Sequence, residues 1–201
     1  MRNCHRGVRA VMVVGATVWA LQIGGATAQS RSEGGTRTEQ PRAEPDGQHD
    51  FDFEFGTWKA HVRRLVKPLT GSTTWVELDG TSVVRRVWEG EANVGELDIQ
   101  GPSGRIQGVT LRLYNPSTRQ WSVSFSSRAA GTPGLPLYGR FRGGRGEFFD
   151  QEMLDGRAIY VRFVFSDITR DTFRFEQAFS DDGGKSWEVN WIATFQRTTG
   201  R

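Results

Sequence analysis

The sequence predicts an all-β protein: a single antiparallel up-and-down barrel of about 8–11 strands. Three observations lead there. Apolar and polar residues alternate with period two through most of the chain beyond residue 49, between turn signals set a strand length apart. No stretch carries a convincing helical period, apart from a short turn at residues 50–55. So many strands in one domain also leave edges that closure into a barrel hides economically. No repeat of fixed period points to a propeller instead.

Each strand has its own warrant. Trp58, Ala60 and Val62 alternate with Lys59, His61 and Arg63. Residues 73–78 and 81–88 read as two strands parted by the Asp79-Gly80 turn signal. Residues 92–99 follow, then 105–114, where Val109, Leu111 and Leu113 share a face. The Asn115-Pro116 segment turns the chain, and Trp121, Val123 and Phe125 then alternate with serines. Residues 129–136, rich in Gly and Pro, read as a loop. Strands at 137–142 and 147–152 flank the glycines of 143–146. Beyond Asp155-Gly156 come residues 159–165 and 173–179. The last strand carries Trp187, Val189, Trp191, Ala193 and Phe195. A barrel in the outer membrane needs a clean lipid-facing band, and here both phases of several strands are charged or mixed. The prediction is a barrel in water.

The start of the chain reads as an address. Arg2, Arg6 and Arg9 precede an apolar run over residues 10–23, and Ala26-Thr27-Ala28 matches a signal-peptidase site. The run is short for a membrane span. Residues 1–28 are therefore expected to be a signal peptide cleaved after Ala28, which makes the protein secreted or periplasmic. No integral membrane span is expected after cleavage. Residues 29–48 hold almost nothing apolar and read as a flexible linker. The barrel domain is expected over 49–201.

Removing the leader changes the charge argument. The whole chain has 26 Lys and Arg against 23 Asp and Glu, a net charge of +3. The leader holds three of the arginines and no acid, so the exported chain carries 23 of each sign. A nucleic-acid partner loses its electrostatic support. The single Cys, Cys4, leaves too, and with it any thiol nucleophile, disulfide or thiolate metal site.

Two motifs have a structural reading. Gly56-Thr57-Trp58 opens the first strand after an aromatic turn, and resembles the Gly-x-Trp signature of the lipocalin and wider calycin families. The resemblance implies that Trp58 plugs one barrel end beneath a terminal Arg, here Arg197. The segments Asp50–Trp58 and Phe175–Trp191 resemble an uncharacterised bacterial family of secreted, calycin-like proteins, a domain of unknown function. That resemblance spans nearly all of residues 49–197 and implies a lipocalin-like barrel with no established activity. Ser180, Asp182, Gly184 and Trp187 fit the Asp-box pattern. In that turn the aspartate accepts backbone amides and the Trp buries the hairpin base, a folding device rather than a calcium or sugar site.

The remaining candidates concern a lumen. Arg63, Arg112, Arg162, Glu176 and Asn190 lie in the mixed phase of their strands, which is either the wet outside or a polar lining among aromatics. Trp58, Arg112, Arg162 and Asn190 are the candidate ligand contacts, for a small apolar or aromatic molecule. His61, Glu176 and Asp150 are the candidate acids and bases. Asp150 belongs to an acidic cluster with Glu147, Glu152 and Asp155, whose plain reading is a solvated hairpin. His61, the one histidine in an expected strand, could serve as a haem ligand or a base, against a plainer solvated role. Serine-nucleophile, phosphate-loop and His-pair metal signatures are absent, so no cofactor or metal is implied. Three readings follow: a binding protein for an apolar ligand, a lipocalin-like isomerase, cyclase or hydratase, or a haem barrel. Oligomeric state is not legible.

Overall fold

The computed structural model describes residues 46–198. The expected leader and residues 29–45 of the expected linker lie outside the described residues. Ten strands close into one antiparallel barrel, each hydrogen-bonded to its neighbours in sequence. They are β1 (Gly56–Leu65), β2 (Trp75–Val87), β3 (Ala92–Gly101), β4 (Gly104–Asn115), β5 (Gln120–Ser127), β6 (Leu137–Arg142), β7 (Arg145–Leu154), β8 (Arg157–Ser166), β9 (Thr172–Ser180) and β10 (Glu188–Arg197). The circle is completed where β10 pairs with β1, from Trp58↔Arg197 to Arg64↔Trp191. Closure leaves no unpaired edge for another chain to extend. Among the described residues there is no α-helix, only single-turn 3₁₀ segments at Asp52–Glu54 and Trp88–Gly90, and no helix long and apolar enough to cross a membrane.

Two expectations about strands are corrected, at Asp79-Gly80 and in β10, and in β4 the phase left open by the sequence is assigned. The Asp79-Gly80 pair is not a turn: β2 runs unbroken through it for 13 residues. Gly80 is there because β3 passes so close that a Cβ would strike the backbone of Asp98 and Ile99. In β4 the face shared by Val109 and Leu111 points outward, and these residues are 43% and 40% exposed. The inward phase is Gly108, Thr110 and Arg112, because Gly108 makes room for the Phe125 ring and Arg112 finds buried partners. In β10 a bulge between Val189 and Trp191 shifts the register against β9. Trp187 and Trp191 therefore do not share a face, and Asn190 is carried into the interior, where it is buried.

The N-terminal segment stoppers one end of the barrel. The Asp52–Glu54 turn crosses the opening, and Phe51 enters the core among Trp121, Phe141, Phe148 and Phe165, with ring centroids 4.9 to 5.6 Å away. Edge-to-face packing of this kind adds to the burial energy of each ring. The described fold reaches back to Asp46, inside the expected linker: Trp121 Nε1 donates to the Gly47 carbonyl at 2.8 Å, and the Tyr114 hydroxyl donates to that of Asp46.

At the same end, Trp58 is fully buried. Its indole N–H donates to the Glu54 carbonyl at 2.7 Å, and the Arg197 guanidinium lies 4.1 Å from its ring centroid. Arg197 also donates to the carbonyls of Phe53 and Phe55, at 2.9 and 2.7 Å, so one side chain satisfies turn carbonyls that the barrel leaves without partners. Gly56 is required here on two counts: its φ is +117°, and a Cβ would press on Arg197 Nη1.

Candidate functional site

The lumen is not filled along its whole circumference. Lined by residues of β1–β5 and β8–β10, it holds a cavity of about 590 Å³. Small residues make the space: Val62, Ser82, Gly95, Thr110 and Ala193 stand where larger side chains would meet. The far wall is aromatic, with Phe125, Phe163, Phe165, Phe175 and Phe179, together with Trp191 of β10. A concave apolar chamber with a few polar groups is the usual form of a small-molecule site.

The polar groups lie in two places. At the stoppered end, Arg112 Nη2 lies 2.7 Å from Glu54 Oε2, and Arg112 Nη1 donates to Asn93 Oδ1 at 2.9 Å. The approach to Glu54 is an ion pair whose angle is not that of a hydrogen bond. The guanidinium also lies 5.0 Å from the Phe51 ring and 5.8 Å from Phe165. Burial pushes the Glu54 carboxyl up to about 7, against the opposing pull of Arg112. Burial likewise lowers Arg112, with Glu54 opposing. Towards the other end, Arg64 closes the inward phase of β1, and Gln177 Nε2 donates to Asn190 Oδ1 at 2.8 Å. Lys67, just beyond β1, lines the same cavity.

Several of these groups are under-satisfied. Among the described residues, Arg64 Nε, Arg112 Nε, Asn93 Nδ2 and Asn190 Nδ2 are buried without a hydrogen-bond partner. Such atoms cost free energy unless something accepts from them.

The residues singled out from sequence scatter. Arg112 and Asn190 line the cavity. Trp58 does not; it sits in the stopper. Arg162 faces outward and lies 4.6 Å from the Trp187 ring. Glu176 faces outward in an ion pair with Arg174 at 2.5 Å, and Arg63 pairs outside with Glu77 at 3.8 Å. His61 is on the outer face, its Nδ1 2.8 Å from Asp79, so it presents no ring nitrogen to the lumen. Asp150 and Glu152 share the inward phase of Phe148 but do not line the cavity. Burial and the neighbouring Asp150 raise the Glu152 carboxyl. Glu147 pairs with Arg145 outside, at 2.9 Å.

The Asp182 turn lies outside the barrel, between β9 and β10. The Asp182 carboxylate accepts from the amides of Lys185 and Ser186, both at 3.0 Å, and from the Ser186 and Ser180 hydroxyls at 2.6 and 2.8 Å. These donors, Ser186 foremost, hold it well below the usual carboxylate range. Gly184, at φ +83°, donates its amide to Ser180 Oγ and accepts the Trp187 indole at 3.1 Å. All of these partners lie within the turn.

Glu54, Arg64 and Asn93 escaped the sequence argument. Signals for two of them exist. Glu54 is a carboxylate set between Phe53 and Phe55 in a segment bound for the core. Arg64 continues the phase of Trp58, Ala60 and Val62, which is the buried one. Asn93 offers no such signal.

No protein-family model matches the chain, and no curated protein does. Among solved structures, the chain is similar to the S-type phycobiliprotein lyase CPES from Guillardia theta. The likeness has 13% identity over 77% of this chain and 93% of that one, with a TM-score of 0.52. The ywiB protein from Bacillus subtilis aligns at 11% identity over 72% and 93%, with a TM-score of 0.35. The likeness to the lyase is one of fold alone and agrees with the closed antiparallel barrel. The finer resemblance to an uncharacterised secreted family finds no matching model.

Proposed function

We propose that this chain is an exported binding protein that holds a small, largely apolar molecule in the barrel lumen. The cavity of about 590 Å³, walled by phenylalanines and Trp191 and floored by Gly95 and Ala193, carries the reading. A chamber of this size within an otherwise close-packed core costs dispersion contacts, and a ligand restores them. Two of the three acid–base candidates, His61 and Glu176, lie outside and paired, which favours binding over turnover. The likeness to a lyase brings only the barrel, since fold alone does not transmit activity.

The test uses the neutral dye N-phenyl-naphthylamine. The wild type should enhance its fluorescence saturably, and Ala193→Trp, which fills the chamber, should abolish the enhancement while the far-ultraviolet circular dichroism stays unchanged. Equal enhancement by both proteins, or none by the wild type, rejects the binding reading. Export rests on the leader alone. N-terminal sequencing of protein recovered outside the cytoplasm should begin at Gln29, and retention of Met1 in that fraction would overturn it.

One observation favours a second reading, a lumen acid–base enzyme. The Glu54 carboxyl beside the cavity is raised to about 7, the range in which a carboxyl can both give and take a proton. Turnover lost in Glu54→Gln, with dye binding retained, would support this reading over binding alone.

A further inference from the structure

The polar groups of the cavity differ in charge balance from end to end. At the stoppered end the Arg112 guanidinium has a carboxyl partner, Glu54, at 2.7 Å, and both are almost wholly buried. At the other end Arg64 and Lys67 line the same chamber, and neither makes an ion pair with any described residue. The unpartnered atoms there also agree in kind. Arg64 Nε is a buried donor without an acceptor, and so is Nδ2 of Asn190, a residue only 2% exposed. Arg64 pairs with Trp191 across β1 and β10, so Asn190, the bulge residue next to Trp191, lies beside it. An arginine N–H and an amide NH₂ can only donate. The complement they lack is an acceptor, and the uncompensated charge makes an anionic one the best match.

We infer that the lumen takes an acidic amphiphile, with its apolar body along the phenylalanine wall and its carboxylate at Arg64 and Asn190. This rests on the binding reading above and adds the chemical class and the orientation. The cavity is lined along β9 from Phe173 to Phe179, six residues apart, about 20 Å at the rise of an extended strand. An unbranched acyl chain of comparable extended length suits that span. Above about pH 7, where Glu54 is ionised, its pairing with Arg112 leaves the stoppered end without net charge, so the chain terminus there needs no head group, and the probes are compared at about pH 8. Arg64 is thus assigned as the specificity-determining contact and Asn190 as a second donor to the same carboxylate.

The experiment compares cis-parinaric acid with its methyl ester, two probes alike except for the charge. The wild type should bind the acid at least about ten times more tightly than the ester. Arg64→Met should remove that preference, and Arg64→Lys should keep most of it. Equal affinity for the two probes in the wild type, or a preference that survives Arg64→Met, overturns the head-group assignment and leaves the binding reading standing. An acid preference unaffected by Ala193→Trp places the site outside the lumen and also overturns it. Failure of the wild type to bind either probe or the neutral dye removes both the assignment and the binding reading. An unchanged far-ultraviolet circular dichroism spectrum serves as the control that Arg64→Met is folded.

Discussion

The two sides of this barrel are built from similar residues and serve different ends. On the filled side, Phe51 from the stopper is ringed by Trp121, Phe141, Phe148 and Phe165 at near-perpendicular or tilted angles, and no large space remains around it. Where β1–β5 and β8–β10 line the chamber the wall residues are as apolar, but Gly95, Ser82, Thr110 and Ala193 sit opposite the phenylalanines and leave it open. Aromatic content alone therefore does not tell a filled lumen from a hollow one. Side-chain volume summed across facing strands decides it. The Glu54–Arg112 pair is the seam between the two: Arg112 touches Phe51 and Phe165 on the filled side and borders the chamber on the other.

Equal truncations on the two sides break the comparison most sharply. Phe148→Ala removes a ring with no exposure from close-packed neighbours and should cost about 3–5 kcal/mol. Phe125→Ala enlarges a space that already exists, forfeits fewer contacts, and should cost less than half as much. Urea unfolding of both variants measures the difference, and equal losses would mean that the two sides are packed alike.

The seam carries a pH dependence of the next size. The Glu54 carboxyl has its ordinary value near 4.5 when unfolded and about 7 when folded. Between those values the folded protein keeps a proton that the unfolded chain has released, so stability falls as pH rises through this window. Below it both states hold the proton, and above it neither does. The steepest slope is about 1.4 kcal/mol per pH unit, and the whole change is of the order of 3 kcal/mol. Urea midpoints at about pH 5 and pH 8 measure it, and Glu54→Gln should flatten the profile. A slope of opposite sign would show that Arg112 outweighs burial at this carboxyl.

How far the sequence makes this legible depends on whether a feature is local. Alternation in single strands, the Asp182 turn and the glycine-led entry to Trp58 involve residues close in the chain, and pattern is enough to find them. Which phase faces inward is not local. In β4 it is set by Gly108 yielding to Phe125 and by the partners of Arg112, one strand away and in the stopper. In β10 it is set by one inserted residue at Asn190, which no alternation count detects. Gly80 imitates a turn residue because glycine serves sharp turns and close strand crossings alike. The cavity is the least legible feature, since it depends on the absence of volume across eight strands at once.

The smallest expected effect concerns the outside of the hollow side. His61→Ala and Glu176→Gln alter residues whose neighbours in β1 and β9 line the chamber, yet their own side chains turn away to Asp79 and Arg174. Exposed pairs of this kind contribute little, because water screens the charges and the side chains give up entropy to meet. Each substitution should shift stability by under about 0.5 kcal/mol and leave dye and parinaric acid affinity unchanged. A strand one residue wide thus separates a position where Arg64→Met removes head-group selection from one where losing a whole imidazole goes unnoticed. A marked fall in affinity on either outer substitution would mean that the ligand reaches past the barrel wall. The groove lined by His61, Asp79 and Thr194 would then be the surface to examine.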